Sequence, residues 1–276
     1  MSRRVALRTV VLVYLGLLLV APVCLVAWRT FSDGVGPVVD AVTDPDAVHA
    51  LWLTVLVTLI AVPLNAVFGV AAALVLVRQR FPGQRAIDAL IDLPFALSPV
   101  VIGLAILLVY GREGWLGGAL DAQGIQVVYA LPGIVLATVL VSLPFVVREV
   151  APVLREAGDE QEQAARTLGA GAWQTFRRVT LPTIRTGLAY GVVLATARAL
   201  GEYGAVSVVS GKIVGETETL TLRVEERFQS FDLQGAYTSA TVLALLAVAV
   251  LCRGTARERP RQTSRVSKSM RGSTQV

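Results

Sequence analysis

The stretch EQEQAARTLGAGAWQTFRRVTLP, residues 160–182, is polar, basic and punctuated by glycines. It lies in a chain of 276 residues that is 54% hydrophobic and only 16% charged, with a mean hydropathy of +0.65. Soluble domains carry roughly a quarter of their residues as charges, so most of this chain is expected in lipid. What a polar island means then depends on which side of the membrane holds it.

Outward from that stretch run long apolar segments. A helix of roughly 18 or more apolar residues crosses a hydrocarbon core of about 30 Å, and six segments qualify: 10–28, 51–77, 89–110, 127–147, 187–209 and 235–252. Pro63, Pro132 and Pro144 fall inside them and are expected as kinks, because neighbouring helices re-satisfy freed backbone groups in a membrane bundle. Arg3, Arg4 and Arg8 before the first segment also describe a signal peptide, but the apolar run exceeds the roughly 7 to 15 residues of a signal core and no small-x-small cleavage site follows. Positive charge accumulates on the cytoplasmic side of membrane proteins. With six spans and cytoplasmic termini, 19 of the 25 Lys and Arg residues lie inside, five lie outside, and Arg198 lies within a span. Residues 160–182 are therefore cytoplasmic in this reading, within a connection covering 148–186. The net charge of +5 is explained by topology and calls for no nucleic-acid partner. Residues 253–276 are polar, basic and aperiodic, and read as a disordered tail able to touch anionic headgroups.

Enzymatic chemistry finds no support. His49 is the one histidine, so no Ser–His dyad forms at depth and no H-E-x-x-H zinc motif exists. The fragment SGKIVGET lacks the P-loop pattern, since Ile213 follows Lys212 and Val206 stands where a glycine is needed. Cys24 and Cys252 fall at opposite faces, which leaves no disulfide and no metal-thiolate site, and both read as small buried hydrophobes. No cofactor and no metal are expected. Charges inside a membrane are a default functional site: Arg198 and Glu202, at i and i+4 on one helical face, form either a structural ion pair or the lining of an anion pathway. Asn65 and Ser98 read as interhelical hydrogen-bond donors.

The opening stretch has a structure of its own. Asp159, with Glu162 three residues on, marks a helix start with a side-chain cap, and Gly169 stands where a left-handed stop falls. Ala164, Ala165 and Leu168 share a face. After GAGA, Trp173, Phe176 and Val179 form a second apolar stripe that ends at Leu181 and Pro182. Such helices either lie at the lipid interface, with Arg177 and Arg178 at the headgroups, or receive a soluble partner. The small face of Ala164, Ala165 and Gly169 suits close approach by a protein.

These residues resemble the EAA loop of ABC importer permeases, E-A-A-x-x-x-G followed by an apolar residue, any residue and Leu-Pro. Ala164, Ala165, Gly169, Val179, Leu181 and Pro182 fall on the pattern, while Gln163 stands where a glutamate is usual, with Glu162 adjacent. The segments LSPVVIGLAILLVYGREGWLG, GIQVVYALPGIVLATVLVSLPFVVREVAPVL and RALGEYGAVSVVSGKIVGETETLTLRVEERF are similar to the W-type permeases of sulfate and thiosulfate importers. The resemblance implies an all-α, polytopic bundle of six transmembrane helices with the type I ABC importer permease fold. It divides the chain into an N-terminal arm with the first helix and outer loop (1–50), a permease core (51–252) and the tail. It implies a multi-pass plasma-membrane subunit that hydrolyses no ATP and moves sulfate or thiosulfate inward beside a T-type permease, two copies of an ATPase and an extracytoplasmic sulfate-binding protein. Residues 212–232, with Leu220, Val224, Phe228 and Phe231 at helical intervals, become a gate, a docking surface or a plain solvated loop. Molybdate or tungstate import is the alternative within this class, and a membrane scaffold for a cytoplasmic partner the alternative outside it.

Overall fold

The computed structural model describes residues 3–32 and 34–256, and its regular structure is all helical, with no strand among the described residues. The expected tail from 257 onward lies outside that range; residues 253–256 continue the last helix. In chain order, α1 (Arg3–Leu15) and α2 (Ala21–Phe31) are joined through a π-helical turn, Gly16–Val20. Next come α3 (Gly36–Thr43) and α4 (Pro45–Arg78), which holds Pro63 in its interior without ending. Then follow α5 (Gln84–Ala96), α6 (Pro99–Tyr110), α7 (Gly117–Asp121) and α8 (Leu131–Ala157). The polar stretch supplies α9 (Glu160–Thr167), α10 (Ala172–Thr175) and a second π turn, Phe176–Thr180. The chain closes with α11 (Leu181–Leu200), α12 (Gly204–Val209), α13 (Leu220–Gln229) and α14 (Leu233–Ala256).

Among the described residues, four helices are long and apolar enough to cross a membrane: Leu7–Phe31, Pro45–Arg78, Leu131–Ala157 and Leu233–Cys252. Two of the six expected spans take another form. The segment 89–110 is two helices, α5 and α6, bent by 114°. The break follows from Pro99, whose ring disfavours the helical region for the residue before it; Leu97 and Ser98 are both extended, with ψ of 146° and 137°. The bent pair makes a fifth candidate if it counts as one span. The segment 187–209 is interrupted as well, because α11 starts six residues earlier and stops at Leu200, and α12 begins only at Gly204. Pro132 does not kink α8. It sits in the first turn, where its missing N–H has no partner to lose. At the other end α8 runs on to Ala157, so the first part of the expected 148–186 connection is helix.

The chain forms two compact units, residues up to Thr54 together with Lys212–Leu245, and Val55–Gly211 with residues from Leu246 onward. The core of the second unit gathers Val70, Ala73 and Leu76 of α4, Val146, Val147, Val150, Ala151 and Leu154 of α8, and Ile184 and Ala195 of α11. Glycines set its spacing. A Cβ on Gly69 would lie 2.7 Å from Val146 Cγ1, one on Gly191 would lie 2.9 Å from Val146 Cα, and one on Gly187 would lie 2.5 Å from the Glu149 carbonyl oxygen. Asn65 donates to Ser142 Oγ at 2.7 Å, joining α4 to α8 as the sequence suggests. Ser98 stands at the start of α6, where its carbonyl accepts the N–H groups of Val101 and Ile102. Arg148 of α8 binds Asp88 at 2.9 Å and, through Nε, Asp92 at 2.7 Å, which fastens α5 against α8. Phe95 meets Phe145 edge to face at 5.1 Å in the same contact.

In the first unit, the Thr30 hydroxyl reaches Tyr237 O at 3.1 Å and Thr241 Oγ1 at 2.7 Å. The Leu220 N–H donates to Thr54 Oγ1 at 2.8 Å, which ties the start of α13 to α4. Arg223, only 4% exposed, pairs with Asp44 and with Glu218 at 3.4 Å. Burial pushes the Glu218 carboxyl above its ordinary range, and the neighbouring Arg223 pulls it back. The apolar stripe expected along 220–231 is split: Leu220 is buried, whereas Phe228 and Phe231 are exposed. Both cysteines are exposed rather than buried.

Because the Gly191 contact is with backbone, Gly191→Leu is expected to destabilise the protein by about 1 to 3 kcal/mol through overpacking. Gly36→Ala, at a site with open space around it, should change little. Thermal unfolding of both variants in detergent micelles checks the contrast.

Candidate functional site

The 160–182 loop is built around one guanidinium. Arg78, the last residue of α4, donates from Nε to Glu162 Oε2 at 3.0 Å and from Nη2 to Glu162 Oε1 at 3.3 Å. The same side chain donates from Nη1 to Leu154 O at 3.1 Å and from Nη2 to Gly158 O at 2.7 Å. Leu154 O is among the last four carbonyls of α8, which have no partner within their own helix. A cation there also complements the negative ends of the α4 and α8 dipoles. Thr180 Oγ1, in the second π turn, donates to Glu162 Oε1 at 2.9 Å. The fork of Arg78 thus grips a carboxylate in the bidentate way that gives charged hydrogen bonds their strength, and the carboxylate holds the far end of the loop.

Glu162 is consequently buried, the single buried residue of α9. Its neighbours face outward. Gln163 is exposed and donates to Asp159 Oδ2 at 2.7 Å, so Asp159 makes no side-chain cap on α9, contrary to the expectation from sequence. Ala164 and Gly169 are exposed and Ala165 is half-buried. Leu168 is 88% exposed and Trp173 69% exposed, the latter stacked on Phe176 at 5.6 Å. Gly169 stops α9 as the sequence indicates, at φ +87°. Its N–H bonds Arg166 O and the Ala170 N–H bonds Ala165 O, both at 3.0 Å, which is the paired closure of a Schellman motif. Val179 and Leu181 are half-buried, and exposed Pro182 opens α11.

The second candidate is also a formed pair. Arg198 Nη2 lies 2.6 Å from Glu202 Oε2, with the Glu202 side chain 2% and the Arg198 side chain 28% exposed. Glu202 Oε1 accepts the Ala205 N–H at 2.8 Å and so caps the first turn of α12. Among the described residues, no group of three or more His, Cys, Asp or Glu side chains is arranged to hold a metal ion.

Residues 65–256 match the family described as "Binding-protein-dependent transport system inner membrane component". This chain belongs to that family. The permease resembles "Sulfate transport system permease protein CysW" from Synechocystis, 52% identical over 240 residues that cover 87% of each chain. It is 50% identical to the CysW protein of Escherichia coli over 234 residues, 85% of this chain and 80% of that one. Its fold matches a bacterial alginate ABC transporter solved in complex with a pentasaccharide-bound periplasmic protein, with a TM-score of 0.75, 15% identity, and 92% and 93% of the two chains covered.

Sequence reasoning placed the loop of this permease and its glycine stop but missed Arg78 and Thr180. No local signal pointed to Arg78, which lies 84 residues from its partner; Thr180, 18 residues away, sits on the buried side of a π turn that the 3.6-residue stripe does not foresee. Glu162 was legible as a carboxylate beside the motif, and its inward direction was not.

For the Arg198 and Glu202 pair, Arg198→Ala strips a buried carboxylate of its cation, a change that costs roughly 3 to 5 kcal/mol. The double change Arg198→Ala, Glu202→Gln is expected to recover much of that loss, and the yield of monodisperse protein and its unfolding temperature give the readout. Full stability of Arg198→Ala combined with selective loss of uptake assigns the arginine to a pathway instead.

Proposed function

We propose that the chain is the membrane-spanning permease of an ATP-driven sulfate or thiosulfate importer, working beside a T-type permease, two copies of an ATPase and an extracytoplasmic sulfate-binding protein. Six crossings follow if α5 with α6 and α11 with α12 each count as one interrupted span, and the arginine distribution then puts both termini in the cytoplasm. Hydrolysis of ATP belongs to the separate subunit. The division into an arm (1–50), a permease core (51–252) and a tail is kept as part of this reading.

The observation that carries it is the exposed surface of Leu168, Gly169 and Trp173 on a loop anchored from behind. Apolar side chains left bare on a polar segment mark a protein contact, and in a transport permease the partner is the ATPase. Sulfate enters through the names of relatives at 50% identity and above. Neither molybdate transport nor a scaffolding role has an observation of its own. The segment of Gln163, Ala164, Ala165 and Gly169 is the coupling surface in this account, with Glu162 holding it from behind and Trp173, Val179, Leu181 and Pro182 seating it.

The test is to reconstitute the permease pair with its ATPase and binding protein in proteoliposomes and to follow ATP hydrolysis with sulfate, thiosulfate and molybdate. Stimulation by sulfate or thiosulfate, and not by molybdate, is expected; the reverse overturns the substrate. Since an exposed ion pair contributes only about 0.2 to 1 kcal/mol, Gln163→Glu should alter uptake little. Ala164→Trp, which covers the small outward face, should reduce uptake severalfold at matched expression.

A further inference from the structure

We infer that Arg78, Glu162 and Thr180 form an internal clamp that makes the loop move as one body with the ends of α4 and α8, and that the clamp sets how much transport each ATP yields. The inference rests on the reading of the loop as the ATPase contact. It concerns positioning residues, since none of the three faces the exposed surface.

Three observations carry it. First, α9 buries no residue but Glu162. An amphipathic helix is ordinarily held by apolar area, which resists sliding only weakly because it has no direction; α9 is held by charged hydrogen bonds, which fix position and angle. Second, both carboxylate oxygens are occupied, by Arg78 Nε at 3.0 Å on one side and by Arg78 Nη2 at 3.3 Å and Thr180 Oγ1 at 2.9 Å on the other. With a side-chain exposure of 11%, this carboxylate has no part in meeting a soluble partner, and Gln163, which is exposed, has no charge to offer one. Third, Arg78 does more than neutralise Glu162: its two remaining bonds end on Leu154 O and Gly158 O. One guanidinium thus joins the end of α4, the end of α8 and α9, and Glu162 carries the link on to Thr180 in the π turn leading into α11. A push on α9 passes to three long helices through groups already at bonding distance. Without the carboxylate, the same push is spent in sliding α9 over its support.

A charge swap discriminates this arrangement from a simple ion pair. Arg78→Glu with Glu162→Arg restores opposite charges but turns a carboxylate toward the Leu154 and Gly158 carbonyl oxygens at the end of α8. It is expected to fail, whereas a plain ion pair would be rescued.

The experiment uses the complete transporter in proteoliposomes with the parent chain, Glu162→Gln, Thr180→Val and the swap, and reads subunit yield, ATP hydrolysis and sulfate moved per ATP. Expected are normal assembly, hydrolysis at or above the parent level, and a transport ratio lower by about tenfold for Glu162→Gln and by about threefold for Thr180→Val, in line with the strengths of charged and neutral hydrogen bonds. An unchanged ratio in both variants overturns the clamp. So does a fall of assembly, hydrolysis and transport in proportion, which is what a merely structural role produces, and so does rescue by the swap. Leu168→Glu, on the exposed face, separates the two layers of the argument. It is expected to release the ATPase, and if the ATPase stays bound and coupled, the reading of the loop and the clamp fall together. Release by Leu168→Glu beside an unchanged ratio in Glu162→Gln removes the clamp alone.

Discussion

Everything in the larger unit depends on how closely α8 approaches its neighbours at Val146. Lipid tails are as apolar as the side chains between helices, so association in a membrane draws on close packing and hydrogen bonds rather than on expulsion of water. Gly69 from α4 and Gly191 from α11 both lie against Val146, too near for any side chain. That spacing brings Asn65 within reach of Ser142 and, further along α4, Arg78 within reach of the last carbonyls of α8. The geometry of the loop is thus inherited from close glycine contacts on Val146, well inside the bundle.

The charged groups follow a common rule. Inside a poorly solvated bundle an isolated charge is costly, and a paired one is tolerated when its remaining bonds are satisfied. Arg78 has Glu162 and two carbonyls, Arg198 has Glu202, and Arg223 has Asp44 and Glu218. The pairs do different jobs. Glu202 spends one oxygen on a helix start where the chain has just broken, and Arg148 uses two aspartates to hold α5, the first arm of the bent pair.

The sequence displayed what is local and concealed what is distant. Apolar length located the four helices long enough to cross a membrane, and Gly169 announced the end of α9 because a positive φ is open to glycine at little cost. The breaks at Ser98 and Gly201 were invisible to a hydropathy reading, which averages across a bend. Two warnings were present nonetheless: a serine directly before Pro99, and Asp92 in a segment that was to lie in lipid, with Asp88 at its edge. The missing Asp159 cap goes with its backbone, which at φ −113° and ψ 0° is not in the extended conformation of a capping residue, while the Gln163 amide holds Oδ2. The exposed cysteines reflect a general ambiguity, because an apolar position in a membrane chain faces lipid as readily as protein.

The second π turn has a further consequence, for how this loop tolerates change in length. A π turn holds one residue more than the α turn it replaces, and the N–H of Leu181 reaches back to Phe176 O across it. Each residue of a helix advances it by about 100°. A one-residue deletion between Phe176 and Thr180 would leave a continuous helix while rotating Trp173 and the whole exposed face by that angle relative to α11. Residues 176–180 therefore behave as a phase setting, in which chain length carries information independent of which amino acids fill it. Substitution there, Thr180 apart, is a matter of packing, whereas insertion or deletion re-aims the surface on the far side of the turn.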